Sequence, residues 1–478
     1  MADIKETPLL VIGGGPGGYP AAFAAADHGI SSVLVDMDPR LGGVCLNRGC
    51  IPSKALLHIA KLIEETREAS HMGVKFSDPV INLDELRQFV QQKVVGKLTG
   101  GIQQLARARG VETIRGKAIF EDPHTVRVEP VVEGDTPKRI RFQNAIIATG
   151  SSPVMPRPFM LNDPRIMDST GALLLPDVPK RMLIIGGGYI GLEIGTVYAA
   201  LGTKIVVVEL LDGLLPLADR DLVKPLEDRL RKRFEAIYLN TKVASLTPQA
   251  DGILANLEGK DVPASSLFDR VLISVGRRPN SNGLGLEAVG ITVNERGFIP
   301  VDLQRRTQVP HILAIGDVSG EPGLAHKATA EAKVAVETIL GEPSEFSPRA
   351  IPAVVFTDPE LAWCGATERE LKEQNVPFDR MDFPWAASGR ATTLARNEGK
   401  TKIMFDPQSG RILGVGIVGV NAGEMIAEGV LAMEVGAVAR DLAETIHPHP
   451  TLSETIMEAS ELALGGATHI FKPKSAKR

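Results

Sequence analysis

Short apolar runs stopped by glycine punctuate the first two thirds of the chain. Residues 9–12 (LLVI) are followed by GGGPGG, then by the Ala-rich stretch YPAAFAAADHG. A second apolar run at 33–35 ends in Asp36. An unbroken apolar run of this length between turn residues reads as a buried parallel strand, and the longer Ala-rich stretch as a helix. The predicted order is strand, glycine turn, helix, strand. The same order returns in RMLIIGGGYIGLEIGTVYAALGTKIVVVE, which ends in Glu209. Two more apolar strands run into glycine turns, NAIIATGSSP (144–153) and RVLISVGRRPN (270–280). A third, TQVPHILAIGDV (307–318), ends in Gly316 and Asp317. Beyond about residue 349 the texture changes. IPAVVFTDPELAWCG and TKIMFDPQSGRILGVGIVG alternate as antiparallel strands with turn residues between them, and MIAEGVLAMEVGA and TLSETIMEASELALGG are amphipathic helices.

Within each repeat the glycines fall as G-x-G-x-x-G: Gly13, Gly15 and Gly18, then Gly186, Gly188 and Gly191. Twenty-three residues separate the first glycine from the closing acid in both copies. The first glycine makes the tight turn, the second lets backbone approach a pyrophosphate, and the third lets helix and strand pack closely. The helix N-terminus offers unpaired N–H groups to the phosphates, and the acid accepts from ribose hydroxyls. One such copy also describes an ordinary glycine-rich turn; two at identical spacing do not. Pro20 falls near the first turn of its helix, where a missing N–H costs little. The expected fold is α/β, with two Rossmann-like dinucleotide-binding domains (1–150 and 151–280), a central unit (281–348) completing the first site, and a C-terminal α+β dimerisation domain (349–478). Two dinucleotide sites in one chain imply electron traffic between two cofactors.

Composition narrows this little. A length of 478 residues suits two to four domains, and 44% hydrophobic with 23% charged residues is ordinary for a globular chain. The net charge of -5 gives no electrostatic reason to expect nucleic acid. No apolar run approaches the roughly 20 residues of a membrane span. The start MADIKETPLLVIGGG reaches a strand within about ten residues, so no leader is expected and the expected location is cytoplasmic. The basic tail KPKSAKR reads as a solvated end.

Cys45 and Cys50 are two of only three cysteines and lie in GGVCLNRGCIPSKALLH (42–58). Residues five apart in a helix are separated by more than about 7 Å of rise. A disulfide needs Cα atoms within about 4.4–6.8 Å. The pair can bond only if LNRG is distorted, which Gly49 permits. Pro52 suits the first turn of a helix beginning near Cys50. A thiol at a helix N-terminus has a lowered pKa, which speeds thiolate–disulfide exchange near neutral pH. Two unrelated cysteines, or half a metal site, are the other readings. A metal needs about four ligands, and no further Cys or His cluster complements the pair. Cys364, among apolar residues, is expected to be an inert buried thiol. Taken alone, HPHP (447–450) is a proline-rich turn with surface histidines. Beside a redox pair it supplies a base, because a dithiol of pKa about 8.5 must lose a proton before it attacks. Glu454 can then orient the imidazole of His449. His447 and His326 are expected to make packing or surface polar contacts.

On these motifs the chain resembles the FAD-dependent pyridine nucleotide–disulfide oxidoreductases, in order and over essentially its whole length. GGVCLNRGCIPSK resembles their flavin-adjacent disulfide motif and GGGYIGLE their NAD motif. FPWAASGRA (383–391) and HPHPTLSE (447–454) resemble their C-terminal domain. The resemblance implies FAD on the first device and NAD on the second. It implies that Cys50 faces the flavin, forming a thiolate–flavin charge-transfer pair when reduced, and that Cys45 exchanges with lipoyl sulfurs. It places Lys54 near the flavin and paired with Glu193, Asp317 on the ribityl chain, and Ala325 by the flavin ring. Ala118, Val243 and Gly276 are implied as further cofactor contacts. His449, oriented by Glu454, would be the acid–base residue, supplied by the partner subunit of a homodimer. The implied reaction oxidises protein-bound dihydrolipoyl groups through Cys45–Cys50 and FAD, with hydride transfer to NAD⁺. The implied partners are lipoyl domains and core subunits of 2-oxoacid dehydrogenase or glycine-cleavage complexes.

Three positions depart from the family pattern. Asp36 stands where Glu is usual, and still reaches ribose, through water where needed. Arg48 stands where Val is common, and either adds positive charge beside the disulfide or is solvated. Pro448 stands where Ala is usual and stiffens the approach to His449. Two alternatives remain. One is a related reductase acting with NADPH on a disulfide or a metal ion; Glu209, the HPTLSE ending and the absence of C-terminal cysteines stand against it. The other is a chiefly architectural complex subunit, against which the intact motifs stand.

Overall fold

The computed structural model describes residues 4–132 and 136–471. The tail KPKSAKR lies outside the described residues. The first strand, Ile4–Ile12, is longer than its apolar run predicts. Its polar first half pairs residue by residue with the strand Lys138–Ile147, so ladder hydrogen bonds extend it where hydrophobicity does not. Along the apolar half, Leu9 and Val11 enter one buried cluster and Leu10 and Ile12 another. Burial on both faces is why the run is unbroken.

This strand sits inside a sheet ordered Glu112–Arg115, Ser32–Asp36, Ile4–Ile12, Lys138–Ile147, Thr125–Glu129, Lys117–Asp122. Ile312–Ala314 pairs parallel to Lys138–Ile147 on the other side of its end. In register, Ile12 and Ala314 both stand level with Ile147. The turns GGG, ATG and IGD therefore gather at the C-terminal ends of these parallel strands, where α/β folds place ligands. The second unit repeats the plan. Ala236–Tyr238, Lys204–Val208, Arg181–Ile185, Arg270–Ile273 and Ile166–Met167 form a parallel sheet, and Ile185 stands level with Val208 and Ile273. The C-terminal unit is an antiparallel sheet ordered 353–355, 360–365, 412–419, 400–405, 379–384, flanked by helices Ala422–Glu434 and Glu454–Ala463.

The units share a core. Leu57 of the helix Cys50–Glu68, Leu192 and Tyr198 of the helix Tyr189–Ala200, and Val355 and Val418 of the C-terminal sheet belong to one buried cluster. Each such side chain stabilises the arrangement by about 1.5–3 kcal/mol. The helix that opens with Cys50 is thereby fixed against both other units. Among the described residues no helix is long and apolar enough to cross a membrane.

Candidate active site

The two glycine turns match in detail. Gly13 (φ +105°) and Gly186 (φ +109°) take the left-handed backbone that starts each turn. A Cβ on Gly18 would stand 1.7 Å from the Gly13 carbonyl, and one on Gly191 2.6 Å from the Gly186 carbonyl. These glycines are demanded by packing. Gly15 and Gly188 differ: a Cβ there would meet nothing closer than 3.9 Å at Gly15 and nothing within 4 Å at Gly188. The open space lies at the glycine meant to face a pyrophosphate, so both turns fit a dinucleotide. The closing acids match as well. Asp36 accepts from the N–H groups of Gly14 and Asp38, and Glu209 from those of Gly187 and Leu211. Each carboxylate is thus locked onto its own glycine turn, with lone pairs left for ribose. Burial pushes the Asp36 carboxyl up, against those hydrogen bonds.

A cleft of about 570 Å³ runs from Asp36 along the first glycine turn to the cysteines. Cys45 lies in the first turn of a short helix, Gly43–Arg48, and Cys50 opens the helix Cys50–Glu68. Gly49 (φ −139°, ψ −110°) breaks the helix between them, the distortion that the five-residue spacing requires. Both cysteines are thiols in the structure. Cys45 donates a side-chain hydrogen bond to Cys50, which lowers the Cys50 pKa to about 7; burial opposes this and the Lys54 ammonium reinforces it. The same bond, with burial, pushes Cys45 up. The pair therefore has one ready thiolate, on Cys50.

Lys54 Nζ bonds Glu193 at 2.8 Å and lies 4.5 Å from the centre of the Phe356 ring. The other Glu193 oxygen accepts from the Phe356 N–H at 3.0 Å. Glu193 thus joins all three units at the cleft. Asp317 accepts from the Ser151 hydroxyl, and Ala118 and Ala325 line the same cleft. Gly186, Gly188, Gly191, Glu209, Val243 and Gly276 are not part of its wall; they belong to the second unit. Arg48 is not merely solvated: it pairs with Asp38 at 2.7 Å and lines the cleft. Tyr189 went unmarked by the motif, since it fills a variable position of GGGYIGLE. Its side chain lines the cleft; the residue is 41% exposed, and the loss of water around the cleft-facing ring pushes its hydroxyl up to about 12.

His449 does not line the cleft of its own chain. Its Nδ1 lies 2.8 Å from Glu454, and the imidazole is largely exposed. Burial draws the Glu454 carboxyl upward, but the Thr451 N–H and the His449 ring hold it below the usual range. This ring opens onto a second cavity that also holds Glu458 and His469. His447 instead bridges Glu428 and the Thr445 carbonyl, and His326 meets the Pro352 carbonyl. Cys364 is buried, its thiol pushed up to about 12 by that burial.

A cleft that ends on a thiol pair, flanked by two dinucleotide turns, defines a flavoprotein disulfide oxidoreductase. Residues 7–332 match the family model described as pyridine nucleotide-disulphide oxidoreductase, and residues 351–460 match that family's dimerisation domain. The chain belongs to this family. It is 47% identical to the dihydrolipoyl dehydrogenase of Haemophilus influenzae over 100% of this chain and 99% of the relative. It is 45% identical to that of Geobacillus stearothermophilus over 98% of each. Similar solved structures include LpdA from Mycobacterium tuberculosis (TM-score 0.87, 28% identity, covering 96% of this chain and 99% of that one). Another is a Cu(II) complex of the HOCl-induced flavoprotein disulfide reductase RclA from Escherichia coli (TM-score 0.85, 28% identity, covering 96% and 100%). The activity is that of a dihydrolipoyl dehydrogenase, and the cofactors are FAD and NAD(H).

Proposed function

We propose that this enzyme reoxidises protein-bound dihydrolipoyl groups in the cytoplasm, for 2-oxoacid dehydrogenase or glycine-cleavage complexes, with the residue roles that follow. The thiol pair on a broken helix, with one thiol already lowered to about 7, carries the reading. In the working cycle the pair starts as a disulfide. His449 takes a proton from one dihydrolipoyl thiol, and the resulting thiolate attacks Cys45. Cys50 leaves as a thiolate held by Lys54. The second lipoyl sulfur then attacks the first, closing the lipoyl disulfide and releasing Cys45, which is protonated. FAD supplies the two-electron relay from this dithiol to NAD⁺, giving NADH and one proton overall. Gly13, Gly15, Gly18, Asp36, Ala118, Asp317 and Ala325 would hold FAD. Gly186, Gly188, Gly191, Glu209, Val243 and Gly276 would hold NAD. The four-part division at 150, 280 and 348 follows these assignments.

The site is incomplete within one chain, because His449 lies outside the cysteine cleft. A homodimer completes it. Leu431, Val435 and Ile446, near the histidine segment, are 64%, 70% and 95% exposed, as surfaces that meet another chain are. The rival reading, an NADPH-linked reductase of disulfides or metal ions, has the Cu(II) complex of RclA in its favour. Against it stand the higher identity to the dihydrolipoyl dehydrogenases and the acid at Glu209. The test is anaerobic addition of dihydrolipoamide to the purified yellow holoenzyme. A long-wavelength absorbance band from the Cys50 thiolate is expected, strengthening as pH rises through about 7, because a lowered pKa leaves the thiolate in place above that value. Cys50→Ser loses the band. A band that survives in Cys50→Ser refutes the assignment.

A further inference from the structure

The second glycine turn is gripped from behind by the C-terminal unit. The chain after Glu209 runs over this turn as a loop, residues 210–219. The Leu215 N–H donates to the Gly187 carbonyl at 3.0 Å, and a Cβ on Gly187 would stand 2.6 Å from Leu214 Cδ2. The same loop supplies the Leu211 N–H that fixes the Glu209 carboxylate at 2.8 Å. Arg220 gathers the loop by donating to the carbonyls of Leu214, Leu215 and Ala218. The loop ends at Asp219, which is buried. Asp219 accepts from the N–H groups of Glu368 and Arg369 at 3.0 and 3.4 Å, and from Lys402 Nζ at 2.6 Å. Lys402 is fully buried, and its other partners are Asp221 at 2.8 Å and Glu368 at 3.4 Å. The Arg369 guanidinium adds a bond to the Pro216 carbonyl at 2.7 Å. Lys402 lies on the C-terminal strand Lys400–Phe405, and Glu368 and Arg369 open the helix Glu368–Glu373.

Lysine is almost never fully buried unless paired, and apolar residues often replace buried ion pairs without loss of stability. Stability alone is therefore weak grounds for this lysine. Its grip falls on the loop that backs Gly187 and orients Glu209. We propose that Lys402, acting with Asp219 and Arg369, is a positioning clamp through which the C-terminal unit sets the affinity of the Gly186–Glu209 turn for its nicotinamide coenzyme. This rests on reading that turn as the coenzyme site. When the loop is unlatched, the Gly187 carbonyl loses its donor and Glu209 loses the Leu211 N–H. Apparent affinity falls in proportion to the fraction of molecules left latched.

The probe is ADP-ribose, which carries the adenosine and pyrophosphate but accepts no hydride. Its binding to the FAD-loaded dimer is measured by titration calorimetry for wild type, Lys402→Met, Arg369→Ala and Glu209→Ala. Lys402→Met is expected to weaken binding about tenfold and Arg369→Ala about threefold. The KM for NAD⁺ is expected to rise in step, with FAD content and the KM for dihydrolipoamide unchanged. If Lys402→Met does not fold, the exposed Arg369→Ala decides alone. Wild-type binding in both clamp variants, with weak binding in Glu209→Ala, overturns the clamp and leaves the coenzyme site standing. Wild-type binding in Glu209→Ala overturns the coenzyme reading and the clamp with it. Equal rises in KM for both substrates mean a general packing role and overturn the clamp.

Discussion

On the proposed reading, Glu209 is the residue that would set which coenzyme the second turn accepts. Its carboxylate is buried and held by two backbone N–H groups, so it cannot swing away from a ribose 2′ substituent. A 2′-phosphate about 4 Å away would be repelled by up to roughly 4 kcal/mol at an effective dielectric of 20. Solvent screening reduces this to about a hundredfold preference, near 2.7 kcal/mol. NAD⁺ is therefore expected to exceed NADP⁺ in kcat/KM by about a hundredfold, and equal values in steady-state kinetics would remove Glu209 from that role. The acids at 36 and 209 were legible because the spacing from glycine to acid repeats. That each would fasten to its own glycine turn was not, since a motif records residue types and says nothing of which lone pairs are taken.

At the scale of elements, the break between two helices sets the chemistry. A Cβ on Gly49 would stand 2.9 Å from the Val44 carbonyl and 3.3 Å from Cys45 Cα, all of it backbone that cannot yield cheaply. Gly49→Ala is expected to displace Cys45 from Cys50 and cut dihydrolipoamide turnover by at least about tenfold, while FAD content stays at the wild-type level. Turnover assays beside the flavin spectrum check this; full activity would mean the break tolerates a side chain. Gly49 and Pro52 announced the break in the sequence, and the apolar runs announced the sheet cores. Residues 4–8 did not read as strand, because their order comes from a neighbour more than a hundred residues away. The Asp219 hub was equally hidden: its partners Glu368 and Lys402 lie 149 and 183 positions along the chain, beyond any local pattern. The Lys54–Glu193 pair came from the family resemblance, which carries long-range information that periodicity lacks.

For the whole molecule, the separation of His449 from the cysteine cleft has a direct consequence in mixed dimers. His449→Ala homodimers are expected to lose most lipoyl turnover, yet still pass electrons from NADH to artificial acceptors. Cys50→Ser homodimers are expected to lose lipoyl turnover completely. A purified heterodimer of the two has one site with both defects and one with an intact Cys45–Cys50 pair facing an intact His449. It is expected to recover about half the wild-type activity per dimer, since one of two symmetric sites is whole. A heterodimer as inactive as its parents would place the whole site within one chain.

The burial of Cys364 has a practical meaning beyond its silence in the reaction. With that thiol pushed up to about 12 and sealed in the C-terminal core, the two reactive sulfurs are both in the cleft. The natural sequence is thus already a selectively labelled one: an alkylating dye reports on the redox pair without any background cysteine having to be removed. Entry of the dye at a third sulfur becomes a clock for opening of the C-terminal sheet, separate from anything that happens at the flavin.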